Sequence, residues 1–361
     1  MANNEDFVEI VGQRVDDLVN MDVPARNATR ILYPLAREKI RGPLCLTAAK
    51  LLRERTHQGE VVFIATGFPD RPHINITVAE TDGPLGAAAL ARALHWGLRA
   101  VPVILVEEQL VASMSCVTGA AGFRVLPSPE EAIAAISSFS ALHAAAVISF
   151  PNDVAKAKER AQELIEKYKP TGVVVIEKAG MNEKGVCHGS RGDSNDAIAK
   201  IDYLVLEAIK EKITTIGIGD GGNELGMGVI QEELKKTSIP YMAKCNCGCG
   251  GGIAPATRTD VLITAAVSNW GAYGIAACLA VLLKRPEVFH DALAEEAMLQ
   301  EAARVSFIDG ATGYVMPPAA DGLRSAVHQA FVTLLREIVV QGLGFMEKGA
   351  IYMRSVPKKG G

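Results

Sequence analysis

From residue 60 onward, short runs of apolar and β-branched residues alternate with longer segments in which apolar positions recur every three or four residues. The short runs are VVFIAT (61–66), VPVILV (101–106), AAVISF (145–150), GVVVIE (172–177), TTIGIG (214–219), IPYMAK (239–244) and DVLITAA (260–266). Helical patterns fill 84–98, 107–121, 128–142, 152–168, 195–211 and 223–236. Strands that are apolar throughout and separated by helices predict an α/β fold: a doubly wound, mainly parallel sheet with helices on both faces. Helical segments at 7–19, after Pro24 and at 43–55 form a preface over residues 1–58. C-terminal helices at 270–283, 286–304 and 323–341 complete an α/β domain of residues 59–345, leaving 346–361 as a tail.

Composition narrows the partners. The chain has 361 residues, 49% of them apolar and 22% charged, which suits a globular protein with a large core. Its net charge is only −4, with no local basic patch, so neither nucleic acid nor an anionic membrane is expected and a small molecule is. Residues 261–283 lack any charge and are long enough to span a bilayer, but Ser268-Asn269-Trp270-Gly271 interrupts them and VLIT reads as a buried strand. The seven cysteines are odd in number, and Cys245, Cys247 and Cys249 crowd together, which argues against a secreted disulfide framework. The acidic start MANNEDFVEI has neither an export nor a transit pattern, so the cytoplasm is expected, with a mitochondrial matrix as the second choice.

In doubly wound sheets ligands gather beyond the carboxyl ends of the strands, so the loops there hold the candidate chemistry. Gly217-Ile218-Gly219-Asp220-Gly221-Gly222 matches a dinucleotide-binding turn, yet Asp220 would set a carboxylate against the pyrophosphate, which disfavours NAD. Read with the next residues, the segment offers Asp220, Asn223 and Glu224 as oxygen donors for a hard divalent cation, Mn²⁺ or Mg²⁺ with Ca²⁺ as a third option. The plainer alternative makes Asn223 a helix N-cap with Glu224 in the first turn. Glu80 and Asp82 precede Gly83-Pro84 and a small-residue helix; they suit either a turn or the binding of a cation or an ammonium.

A long loop follows Glu177 and contains His188 and the Gly-flanked Arg191, whose planar guanidinium suits a substrate carboxylate. His188 reads equally well as a functional group or as a solvent-exposed bystander. The C-x-C-x-C run lacks the usual paired spacing and a fourth ligand, so a flexible Gly-rich flap is preferred there over a thiophilic metal site. Asn269 after the last strand and Asp309 in a Gly-rich C-terminal stretch complete the substrate-binding candidates.

The segments TGFPDRP, ETDGPLGAAALARAL, IGDGGNELGMG and VSNWGAYG resemble the D-glutamate cyclase family over roughly residues 60–325. In some relatives this unit is the C-terminal part of a longer mitochondrial protein. The chain departs from the family where Lys178 follows Glu177, since relatives carry Arg there. The resemblance implies a hydro-lyase that closes D-glutamate to 5-oxo-D-proline with loss of water, acting on a small amino-acid substrate. On that implication Asp220, Asn223 and Glu224 hold the cation, Arg191 binds the α-carboxylate, and Asp82 or Glu177 moves protons. Similar proteins have also been considered metal-dependent phosphatases, and that reaction stands as the alternative, with a non-catalytic amino-acid-binding protein as a further class. Whether the chain forms a homo-oligomer is left open.

Overall fold

A computed structural model of the chain describes residues 4–137 and 142–348. Among these residues one sheet contains seven strands, all parallel, in the order β3-β4-β2-β1-β5-β6-β7. They are β1 (Val61–Ala65), β2 (Val101–Val106), β3 (Arg124–Leu126), β4 (Ala144–Ser149), β5 (Gly172–Ile176), β6 (Thr214–Gly219) and β7 (Val261–Thr264). A separate antiparallel pair, β8 (Ala319–Ala320) and β9 (Leu323–Arg324), lies near the C-terminus.

The two-residue period of a strand divides its side chains between two cores. Val62, Ile64, Val174, Ile176, Ile216 and Ile218 face one layer, formed by α1 (Asn4–Val19), α2 (Thr29–Lys39), α3 (Leu44–Arg55), α4 (Pro84–Leu98) and α5 (Val111–Ala120). Val61, Phe63, Ala65, Val173 and Val175 face the other, formed by α6 (Pro129–Ser137), α7 (Val154–Tyr168) and α8 (Asp202–Lys210). After the short α9 (Gln231–Leu234), the helices α10 (Ser268–Leu283), α11 (Ala292–Arg304) and α12 (Ser325–Lys348) rejoin the first layer. The preface shares this core: Val11, Val15 and Val19 belong to the same apolar cluster as Leu335 and Val339. Residues 349–361 of the expected tail, and residues 138–141 of the helix expected over 128–142, lie outside the described residues.

The doubly wound prediction holds, with local differences. IPYMAK forms turns instead of a strand: β7 already pairs with β6, and Tyr241 takes a left-handed φ of 64° that ends any extended run. The three-residue β3 is too short and too exposed to leave an apolar run in the sequence. The helix expected over 223–236 shrinks to α9, behind a single 3₁₀ turn at Gly228–Ile230, so Asn223 is not an N-cap. The uncharged stretch 261–283 is divided between β7 and the wholly interior front of α10, and among the described residues no helix is long and apolar enough to cross a membrane.

The chain winds outward from β1 through β2 to β4 and β3, then returns to β5 and winds the other way. The direction reverses between β1 and β5, and the crevice beyond their carboxyl ends is where a doubly wound sheet places its ligand.

Candidate active site

A cavity of about 610 Å³ opens at this crevice. Its lining includes Glu80, Glu177, Asp220, Asn223, Glu224 and Asp321, with Arg26, Arg71 and Arg191 also at its walls. Three lining residues other than glycine, Arg71, Glu177 and Asp321, have φ between 43° and 55°, the sparsely populated region in which strain collects at functional sites.

Asp82 is held by two helices that cap one another. Its carboxylate accepts hydrogen bonds from the amides of Ser268 (2.9 Å) and Asn269 (2.8 Å), the first residues of α10. In return, the Asn269 side-chain oxygen accepts from the amides of Gly83 (2.9 Å) and Gly86 (2.6 Å) at the start of α4. Each cap satisfies otherwise orphaned donors, which ties these two strand-end segments into one rigid unit. Asn269 is therefore buried beneath the cavity as a brace and does not line it.

Glu177 directly follows β5, and the Ser268 hydroxyl donates to its carboxylate at 2.5 Å. Across the next strand end, Glu224 folds back over the glycine loop. Its two oxygens accept from the amides of Asp220 (3.2 Å), Gly221 (2.6 Å) and Gly222 (2.7 Å). Such a nest of amides is an anion site, and Glu224 already occupies the place a pyrophosphate would need, which disposes of the dinucleotide reading physically. A side chain at Gly219 would meet the Glu224 carboxylate at 2.6 Å.

Two groups of acids share Asp220. Oxygens of Asp82, Asp220 and Asp321 lie within 4.8 Å of one another, as do those of Glu177, Asp220 and Glu224. Burial, and then the Asp220 charge, push the Asp82 and Glu224 carboxyls up to about 7, against the pull of the amides they accept from. Glu177 and Asp321 are raised well above the carboxylate range for the same two reasons, and the half-buried Glu80 is raised by burial and by Asp82. Arg26, from the turn between α1 and α2, reaches Asp220 at 2.6 Å and Asp321 at 2.9 Å. Burial works against its charge, but these carboxylates outweigh it and hold the guanidinium protonated. The turn is pinned by Asp22, whose carboxylate accepts from the amides of Arg26 (3.0 Å) and Asn27 (2.6 Å).

The other predicted residues are distributed unevenly. Asn223 lines the cavity, and its side-chain amide donates to the His188 carbonyl at 3.0 Å. Arg191 is exposed at the rim, with no carboxylate partner among the described residues. Asp309 lies behind the wall: its oxygens accept from the Thr312 hydroxyl (2.5 Å) and the Gly322 amide (2.8 Å), which fixes the turn that presents Asp321. Lys178 is completely buried and turned away, ion-paired to Glu107 and donating to the carbonyls of Thr66 (3.1 Å) and Gly67 (2.8 Å). Lys178 is thus a structural lysine whose charge is disfavoured by burial and supported by Glu107.

Of the two readings of His188, the solvent-exposed bystander fails: the residue is buried, packs beside the three clustered cysteines, and burial pushes its imidazole toward the neutral form. Sequence reasoning missed two residues of the cavity. Arg26 carries no local signal in a polar turn after Pro24, and Asp321 reads as an ordinary Asp-Gly turn.

The model for the D-glutamate cyclase-like, C-terminal family matches residues 15–336, a span that includes Arg26 and every acid of the cavity. The chain belongs to this family. Human mitochondrial D-glutamate cyclase is 32% identical to it over 224 residues, which is 61% of this chain and 33% of the human protein. The chain thus matches about a third of that relative's length. For this member of the D-glutamate cyclase-like family, the match extends well into the helical preface, which contains Arg26, the ion-pair partner of Asp220 and Asp321.

Proposed function

We propose that the chain is an enzyme that closes D-glutamate to 5-oxo-D-proline and releases water. The convergence of Asp82, Glu177, Asp220 and Glu224 at the switch point of the sheet carries this reading, and the name of the human relative supplies the substrate. Two like charges about 4 Å apart repel by about 4 kcal/mol at an effective dielectric near 20, so acids packed this closely hold protons, a cation or both.

The donor set fits a hard divalent cation, Mn²⁺ or Mg²⁺ with Ca²⁺ as a third option, because it is all oxygen and buried. Arg26 engages both Asp220 and Asp321, so the triad of Glu177, Asp220 and Glu224 is left the freer to hold it. When bound, such an ion would supply positive charge that makes a carboxylate easier to attack.

The chain's own groups account for the remaining needs. The guanidinium of Arg191 has no acidic partner among the described residues and can grip the α-carboxylate through two parallel hydrogen bonds. Holding the amine against the γ-carboxyl group is worth an effective molarity of about 10⁵–10⁸ M. Asp82 or Glu177, as the carboxylate, takes a proton from the α-ammonium; the nitrogen then forms a bond to the carbon of the γ-carboxyl group. The nitrogen gives up its second proton as a carbon–oxygen bond breaks, and the departing oxygen receives two protons, one from a carboxyl kept protonated by burial and one from the nitrogen, and leaves as water.

The test uses D-glutamate labelled with heavy oxygen in the γ-carboxyl group, incubated with the protein and Mn²⁺. Formation of 5-oxoproline that retains one label supports the reading. Unchanged glutamate after prolonged incubation with each of the three cations overturns it.

A further inference from the structure

Beside the acidic cavity lies a second cluster of very different chemistry. The Cys247 sulfur is 3.3 Å from His188 Nε2 and 3.3 Å from the Cys245 sulfur. Cys249 completes the group, 3.5 Å from Cys245 and 3.8 Å from His188 Nε2. A tetrahedral zinc ion with bonds of about 2.3 Å to sulfur and about 2.0 Å to nitrogen separates its ligands by about 3.5–3.8 Å along each edge. The observed spacings bracket that range.

The backbone explains how a C-x-C-x-C run reaches one point. In a strand, residues two apart project to the same side but stand about 6.6 Å from each other, too far to share an ion. Gly248, between Cys247 and Cys249, and Gly250, just after Cys249, take left-handed φ values of 79° and 81° and curl the run inward. The curl is held in place: the Cys245 amide donates to the Gly251 carbonyl (2.9 Å), and the Asn182 side chain donates to the Gly252 carbonyl (2.8 Å). The same Asn182 nitrogen lies 3.4 Å from the Cys249 sulfur, the kind of outer contact that steadies a thiolate ligand.

We propose that His188, Cys245, Cys247 and Cys249 form a closed, structural site for a zinc-class cation, which staples the cysteine loop to the loop that carries Arg191. Three thiolates and an imidazole select a soft or borderline metal and reject Mg²⁺ and Ca²⁺. With four protein ligands no position is left for substrate, so the site's role is to hold the chain. What it holds is a tight turn: the Gly189 amide donates to the Asp193 carbonyl, and Arg191 stands at the tip. Asn246, between two of the ligands, donates from its backbone to Gly192 (2.9 Å) and from its side chain to the Arg191 carbonyl (2.8 Å). The proposal stands on this geometry and does not depend on the reaction at the acidic cavity.

The experiment is cobalt substitution of the full chain purified under reducing conditions, read by absorption spectroscopy. One equivalent of Co²⁺ is expected to give intense thiolate-to-metal bands in the near ultraviolet and tetrahedral bands in the visible, bleached by Zn²⁺. Cys247→Ser and His188→Ala are expected to lose or weaken them, whereas Asp220→Asn and Cys116→Ser keep them. Should a ligand variant fail to fold, alkylation of the wild-type thiols decides: Zn²⁺ is expected to slow modification of Cys245, Cys247 and Cys249 by at least about tenfold and to leave Cys116 unchanged. Absent thiolate bands, an intramolecular disulfide in the reduced preparation, or equal alkylation with and without Zn²⁺ overturns the proposal.

Discussion

The acidic cavity and the thiol cluster are neighbours, joined through Asn223 and His188, yet they are built in opposite ways. The acids stand at the ends of β5 and β6 and in the cross-capped segment before α4, on rigid elements; Glu177, Asp220 and Glu224 line open space, and Asp82 is buried beside Asp220. The thiols stand on loops, face one another and leave no vacant corner. Burial of like charges makes the first cluster costly by itself, as the raised Asp82 and Glu224 carboxyls show. An open cluster that needs a proton, a cation or a charged substrate is suited to chemistry, whereas a closed one is suited to holding the chain.

The largest expected effect is at Glu177. Glu177→Gln removes a proton-transfer group while keeping its size, and turnover of D-glutamate is expected to fall by about 10²–10⁴-fold with the circular dichroism spectrum intact. An unchanged rate would assign proton transfer to Asp82 alone. Next in size is Arg191→Lys, which keeps the charge and loses the fork: a loss of about 10–100-fold is expected, the equivalent of about 1.5–3 kcal/mol for a hydrogen bond to a charged group. Glutamate amidated at its α-carboxylate should lose less from the same substitution. Equal losses for both substrates would remove Arg191 from the carboxylate site.

Glu224→Gln probes the nest. The amide side chain turns an NH₂ group toward backbone donors that the carboxylate now satisfies, so urea unfolding should show a loss of about 1–3 kcal/mol in metal-free protein. Wild-type stability in this variant would mean that the nest is satisfied some other way.

The smallest effect is the pH dependence of the melting temperature. Asp82 and Glu224 titrate near 7 in the folded protein against ordinary values of 3.8 and 4.5. Both bind protons more tightly folded than unfolded, so their contribution to stability is complete below about pH 4 and is lost as the pH rises through about 7. Metal-free protein should therefore melt a few degrees lower at about pH 8 than at about pH 6, and Mn²⁺ should narrow the gap. A metal-free melting temperature that rises over that interval would contradict the raised carboxyls.

What could be read in the sequence follows the range of the forces involved. The strands from β1 to β7 announce themselves as apolar runs bounded by turns, apart from the short β3, and the switch-point rule then leads to Asp82, Glu177, Asp220 and Glu224. Convergence across the fold leaves no such trace. Arg26 meets Asp220 across 194 positions of chain, and His188 meets Cys247 across 59, so neither partner is signalled by local spacing. Asp309 and Asn269 read in the sequence as loop residues near the site, but their hydrogen bonds brace the protein itself, Asp309 with the Thr312 hydroxyl and the Gly322 amide and Asn269 with the amides of Gly83 and Gly86, a distinction that residue type alone does not carry.

Conversion of D-glutamate by the wild-type protein and by Asp220→Asn, assayed side by side with Mn²⁺, tests the role of the strand-end acids most directly, because Asp220 belongs to both triads. The wild-type protein is expected to form 5-oxoproline, and the folded variant to be slower by at least about 10²-fold. Equal rates for the two proteins, or no 5-oxoproline from the wild type, would contradict a catalytic site built on these carboxylates.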